Sequence, residues 1–125
     1  MRQPTDLYLG IEGGATRTVA LIASGNGEAI QRVEAGPANL KLLSDPQLVN
    51  HLRSLATQLP RPRALAIGLA GAWSRADGQR ICTAAAKVWP RIPCHATSDL
   101  ETALMAATDG HQTTTATAKV LHPVI

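Results

Sequence analysis

At 125 residues, 45% hydrophobic and 17% charged, the chain suits one compact domain with a packed core and leaves no room for two. Its net charge of +3 comes from scattered basic residues with no aromatic-interleaved run, which argues against nucleic-acid binding, and no segment has the apolar length of a membrane span. With Phe absent, one Tyr and two Trp, the core must rest on Ala, Leu, Ile and Val, so modest stability is expected.

In chain order, Leu7 to Ile11 is apolar and β-prone and runs into Glu12-Gly13-Gly14-Ala15-Thr16-Arg17. Thr18 to Ala23 is a second apolar run, followed by Ser24-Gly25-Asn26-Gly27, and Asn-Gly between two strand-like runs signals a hairpin. Glu28 to Ala35 reads as a third strand whose alternation leaves the buried face open.

Three helices follow with one start signal. Ser44 precedes Gln47 by three residues, Ser74 precedes Asp77 by three, and Ser98 precedes Glu101 by three, each pair being able to form a capping box. The first helix carries Leu48, Leu52, Leu55 and Leu59 on one stripe, with Pro46 in its first turn and Pro60 as its stop. The second carries Ile81, Ala84, Ala85 and Val88 and ends before Pro90. The third carries Ala103, Leu104 and Ala107 and stops at Asp109-Gly110. Between the first two helices, Ala64 to Ala70 is a continuous apolar run that reads as a fully buried strand, and a short strand is expected from Pro93 to Thr97.

The order βββαβαβα describes an α/β lobe: a mixed sheet with helices on its faces, of the ribonuclease-H-like kind found in each lobe of actin-like ATPases. Residues 1–110 are expected to form this lobe. The segment 111–125 has no apolar period and is expected to be disordered or loosely docked. Cys82 and Cys94 have neither CxxC spacing nor a companion His pattern and read as two reduced thiols. The N-terminus lacks a signal-peptide apolar region, so a cytoplasmic location is expected.

Four segments could carry chemistry. In Glu12-Gly13-Gly14-Ala15-Thr16, inward amides and the Thr16 hydroxyl could surround an anion, and Glu12 could hold a hydrated Mg²⁺. The same glycines would also serve a tight hairpin, and the segment is no Walker A. Gly36-Pro37-Ala38-Asn39 brings an amide with donors and an acceptor, suited to a sugar or to turn chemistry. Gly68-Leu69-Ala70-Gly71 ends the buried strand with small residues that admit either a ligand or a closely packed helix. Asp99 would sit at the start of the third helix, at the carboxyl end of a strand, where ligands of open α/β sheets bind.

Taken together, in this order, the four segments resemble the N-terminal lobe of the N-acetylglucosamine kinase and BadF/BadG ATPase family, over roughly Leu7 to Thr108. The resemblance implies an actin-like two-lobed fold with ATP and Mg²⁺ as cofactors. It implies Glu12 at the metal, Gly13, Gly14 and Thr16 on the first phosphate loop, Asn39 and Gly71 near an amino sugar, and Asp99 as catalytic base. Cys82 and Cys94 lie outside the segment whose cysteines hold an iron–sulfur cluster in the dehydratase activators of this family.

Two departures qualify it. Ala15 stands where the family has a third glycine, and if that position needs φ > 0 the Ala costs roughly 1 kcal/mol. After Thr108 the sequence has neither the family's second phosphate loop nor its adenosine-binding segment. The expectation is therefore the N-terminal half of an ATP-dependent amino-sugar kinase, truncated and inactive alone. The alternatives are a non-catalytic sugar- or partner-binding module or a BadF/BadG-type ATPase fragment. A homodimer, or a partner supplying the missing lobe, completes the expectations.

Overall fold

The computed structural model describes residues 6–97. The expected third helix, with Ser98 and Asp99, and the segment 111–125 lie outside them. The described residues form a five-stranded mixed sheet, order β3-β2-β1-β4-β5, built from β1 (Leu7–Gly13), β2 (Thr18–Ser24), β3 (Ala29–Ala35), β4 (Ala64–Leu69) and β5 (Cys94–Ala96). β1 to β3 form an antiparallel meander, while β1, β4 and β5 run parallel. This is the expected ribonuclease-H-like arrangement.

Alternation along the strands sorts the two faces of the sheet. Leu9 and Ile11 of β1, Ala20 and Ile22 of β2, Leu65 and Ile67 of β4, and Cys94 and Ala96 of β5 all join one core cluster. That cluster also takes in Leu48, Val49, Leu52 and Leu55 of α1 (Asp45–Ala56) and Ile81, Cys82, Ala84 and Ala85 of α2 (Arg75–Val88). Both helices thus cover the same face, as two successive crossovers of one hand between parallel strands require. The aliphatic core is as expected, with Trp89 buried at its edge. On β3 the face left open by the sequence is settled: Gln31, Val33 and Ala35 are half-buried, while Ile30, Arg32 and Glu34 are exposed.

The helix starts follow the three-residue spacing. Gln47 N–H donates to Ser44 Oγ at 3.2 Å while Ser44 N–H donates to Gln47 Oε1 at 2.8 Å, and Ser74 and Asp77 repeat the arrangement. α1 ends at Ala56, a residue stretch earlier than its stripe extends. Gln58 and Leu59 instead donate to the carbonyls three residues back, a tightened turn, because Pro60 disfavours helical geometry at Leu59. A short 3₁₀ turn, Leu40–Leu42, has no periodic signal in the sequence. Among the described residues no helix is long and apolar enough to cross a membrane.

Two polar clamps fix the loops at the end of the sheet. Arg80 of α2 donates to the carbonyls of Leu40, at 2.8 Å, and Leu43, and pairs with Asp45. Thr18, fully buried at the start of β2, donates its hydroxyl to the Gly36 carbonyl at 2.8 Å and lies 2.9 Å from His51 Nε2 of α1. The hydroxyl has a single proton, engaged by Gly36, so His51 must be the donor and carries its proton on Nε2.

Burial holds both His51 and His95 below the ordinary histidine value. The folded chain therefore resists protonation that the unfolded chain accepts. The stability these residues permit is complete above about pH 6.5 and declines as pH falls below it. The urea midpoint is expected to be lower near pH 5.5 than near pH 7.5, and His51→Gln, which keeps a donor toward Thr18, should narrow that gap. A midpoint independent of pH across this window would contradict the assignment.

Candidate functional site

The candidate site lies at the carboxyl ends of β1 and β4, the end of an open α/β sheet at which ligands bind. Three segments meet there through backbone hydrogen bonds. Ala70 N–H donates to the Gly13 carbonyl at 2.8 Å, Leu40 N–H to the Ala70 carbonyl at 2.8 Å, and Ala38 N–H to the Gly14 carbonyl at 3.1 Å. Asn39 thereby extends the sheet as a parallel bridge to Ala70. The first, second and third sequence segments are in this way brought to one place.

Gly13 is required by space. A Cβ there would lie 2.7 Å from Leu69 Cδ2, 2.9 Å from Ala38 Cβ and 3.1 Å from the Ala38 carbonyl oxygen. Its φ is not positive, so packing rather than turn geometry demands the glycine. Gly14 N–H donates to the Arg17 carbonyl at 2.8 Å and closes the hairpin, leaving Ala15 and Thr16 exposed at its tip. Ala15 does not take positive φ either, so the anticipated backbone penalty at that position does not arise.

Gly71 does take positive φ, at 85°. A Cβ there would stand 2.5 Å from Asn39 Oδ1 and 3.1 Å from Lys41 Cγ. Gly71 and Asn39 thus face each other directly. Asn39 caps the 3₁₀ turn, its Oδ1 accepting from Lys41 N–H at 3.0 Å. Turn chemistry is therefore part of its role, and the amide NH₂ takes no part in that cap.

Glu12 is exposed, one residue before Gly13, on the sheet face opposite the helices. It lies in register between Val19 of β2 and Gly68 of β4, where Gly68 has no side chain to crowd it. A single exposed carboxylate fits a hydrated Mg²⁺, which uses one or two carboxylates beside phosphate oxygens. Among the described residues no three His, Cys, Asp or Glu side chains gather as a metal set.

Sequence reasoning missed the aromatic at the rim. Trp73, two residues beyond Gly71, is 80% exposed, and Lys41 Nζ sits 4.8 Å from its ring centroid. Its backbone is anchored, because Trp73 N–H donates to Asp77 Oδ2 at 2.9 Å. That bond, joined by those from Ser74, holds the Asp77 carboxyl below its usual value. The signal was present as a lone Trp after Gly-Leu-Ala-Gly-Ala, without a pattern to distinguish it from a core aromatic. A separate groove of about 320 Å³ runs between α1 and α2, lined by Asp45, Val49, Arg80, Thr83 and Lys87 among others, and shares no residue with this set.

No family model matches the chain, and neither does any curated protein sequence. Among solved structures, a ROK-family transcriptional regulator homologous to the E. coli MLC protein is similar over 73% of this chain and 27% of its own length, at 14% identity and a TM-score of 0.53. T. thermophilus RuvC bound to a Holliday junction is similar over 73% of this chain and 63% of its own, at 14% identity and a TM-score of 0.45. A protein from Chromobacterium violaceum assigned as an N-acetylglucosamine kinase is similar over 65% of this chain and 32% of its own, at 21% identity and a TM-score of 0.49. The likeness to the regulator shows the fold, and the chain spans about a quarter of that protein's length.

Gly71→Ala is expected to destabilise the chain by about 1–3 kcal/mol, because it combines left-handed backbone strain with displacement of Asn39. Urea denaturation measures it. A loss below about 0.5 kcal/mol, ordinary for a surface change, would show that the Gly71–Asn39 contact is not fixed.

Proposed function

We propose that this chain is the N-terminal lobe of an ATP-dependent amino-sugar kinase, acting on N-acetylglucosamine or glucosamine. The observation that carries the reading is the meeting of Gly13, Asn39 and Gly71 at the carboxyl ends of β1 and β4, with Glu12 beside them. ATP, when bound with Mg²⁺, supplies the phosphoryl group that an attacking sugar hydroxyl receives in line.

The chain's own residues bind and orient. Asn39 donates its amide NH₂ to a sugar hydroxyl or acetamido oxygen, and Gly71 leaves the space for it. Glu12 supplies one carboxylate to the hydrated metal, and the Thr16 hydroxyl adds a donor at the exposed hairpin tip. Asp99, outside the described residues, remains the proposed base that takes the hydroxyl proton. Phosphoryl transfer needs charge stabilisation on both sides of the phosphates, so a second lobe completes the site.

A non-catalytic sugar-binding module is the second reading. It is favoured by the Gly14 N–H, which donates to Arg17 and is withdrawn from any phosphate cradle.

Calorimetric titration separates these. N-acetylglucosamine or glucosamine should give saturable heat under both readings, and Mg·ATP, held here only by the first hairpin and Glu12, should give weak saturable heat only under the first. Asn39→Asp keeps an oxygen for the Lys41 cap but loses the donor, and should weaken sugar binding about 10-fold, the worth of one hydrogen bond. Absence of saturable heat with either sugar, or an Asn39→Asp variant that binds as tightly as the parent, would overturn the sugar assignment.

A further inference from the structure

Cys82 of α2 and Cys94 of β5 are both buried, and their sulfurs lie 3.1 Å apart. The sequence spacing gave no reason to pair them. The fold does so, because α2 leads back into β5 and packs its Cys82 side against that strand. A disulfide has an S–S length of about 2.05 Å, so closure calls for an approach of roughly 1 Å between two side chains already facing each other.

We infer that Cys82 and Cys94 are a redox modification site, a dithiol that a hydroperoxide converts to a disulfide tying α2 to β5. The inference is independent of the proposed kinase activity. The sulfur–sulfur contact favours ionisation of one thiol while its neighbour keeps the proton, and burial opposes ionisation of both. The first cysteine to ionise is the attacking sulfur and the other is the resolving partner.

The chemistry balances with hydrogen peroxide as oxidant. Written with Cys82 as the first to ionise, its thiolate attacks one peroxide oxygen, the O–O bond breaks, and the departing hydroxide takes up a proton to leave as water; the exchange of roles gives the same products. Cys82 is then a sulfenic acid. Cys94 sulfur attacks Cys82 sulfur, the S–O bond breaks, and the second oxygen leaves as water with the Cys94 proton. Two thiols and one peroxide thus give one disulfide and two waters. A small dithiol reductant reverses the step by thiol–disulfide exchange.

Burial sets the rate of this chemistry and not its direction. Both sulfurs lie within the core, so oxidation is slower than at an exposed thiol, and the oxidant must be as small as peroxide. Burial also confines the product: with Cys94 adjacent, the sulfenic acid meets a thiol before it meets a second peroxide.

The test is native-state oxidation of the full chain with hydrogen peroxide, followed by alkylation, proteolysis without reductant and mass spectrometry. The expected result is a Cys82–Cys94 cross-linked peptide lighter by two hydrogens, absent after dithiothreitol. In Cys94→Ser or Cys82→Ser the remaining cysteine has no partner sulfur, so the cross-link should be absent and oxidation should stop at a dimedone-trapped sulfenic acid. The wild-type measurement stands even if either variant fails to fold. Recovery of both cysteines fully alkylated after peroxide, or a cross-link formed only in denaturant, would overturn the inference.

Discussion

The junction at Gly13 is the constraint on which the candidate site depends. β1 ends there against two other segments, and its neighbours leave no room for even a methyl group: Leu69 on one side and Ala38 on the other stand within 3 Å of where a Cβ would be. That closeness lets Ala70 and Ala38 donate to the carbonyls of Gly13 and Gly14. Asn39 then bridges to Ala70 and meets Gly71. A larger residue at position 13 would push these segments apart, and the groups proposed to hold a ligand would no longer share one place.

This junction is held from outside by longer-range polar contacts. Thr18 joins β2 to Gly36 and, through His51, to α1, while Arg80 secures the turn that follows Asn39. Each contact satisfies a carbonyl or hydroxyl that would otherwise be lost to water on burial. The loops at the carboxyl end of the sheet are therefore ordered by the same helices that cover its core. Trp73, by contrast, has its backbone anchored and its ring exposed, giving the rim a flat apolar face beside Lys41.

Much of this fold is legible in the sequence because its signals are local. The capping boxes at Ser44 and Ser74 span three residues, and the apolar stripe of α1 and the buried run of β4 have distinct periods. The site is legible in part. Gly13, Asn39 and Gly71 stand out by residue type, but the reason for Gly13 is close packing rather than backbone freedom, and Ala15 needs no positive φ. The contacts between distant residues leave no local trace. Thr18 and His51 are 33 residues apart, Arg80 and Leu40 are 40 apart, and Cys82 and Cys94 are joined only by the path of the chain between α2 and β5.

The central claim is that the junction of β1, β4 and the Asn39 segment receives a sugar. Amide chemical shifts of the isotopically labelled chain, recorded during titration with N-acetylglucosamine, address it most directly. The account predicts saturable shifts concentrated at Gly13, Gly14, Asn39, Lys41 and Gly71, with the α1–α2 groove at Val49 and Thr83 unaffected. Shifts confined to that groove, or none at millimolar sugar, would contradict it.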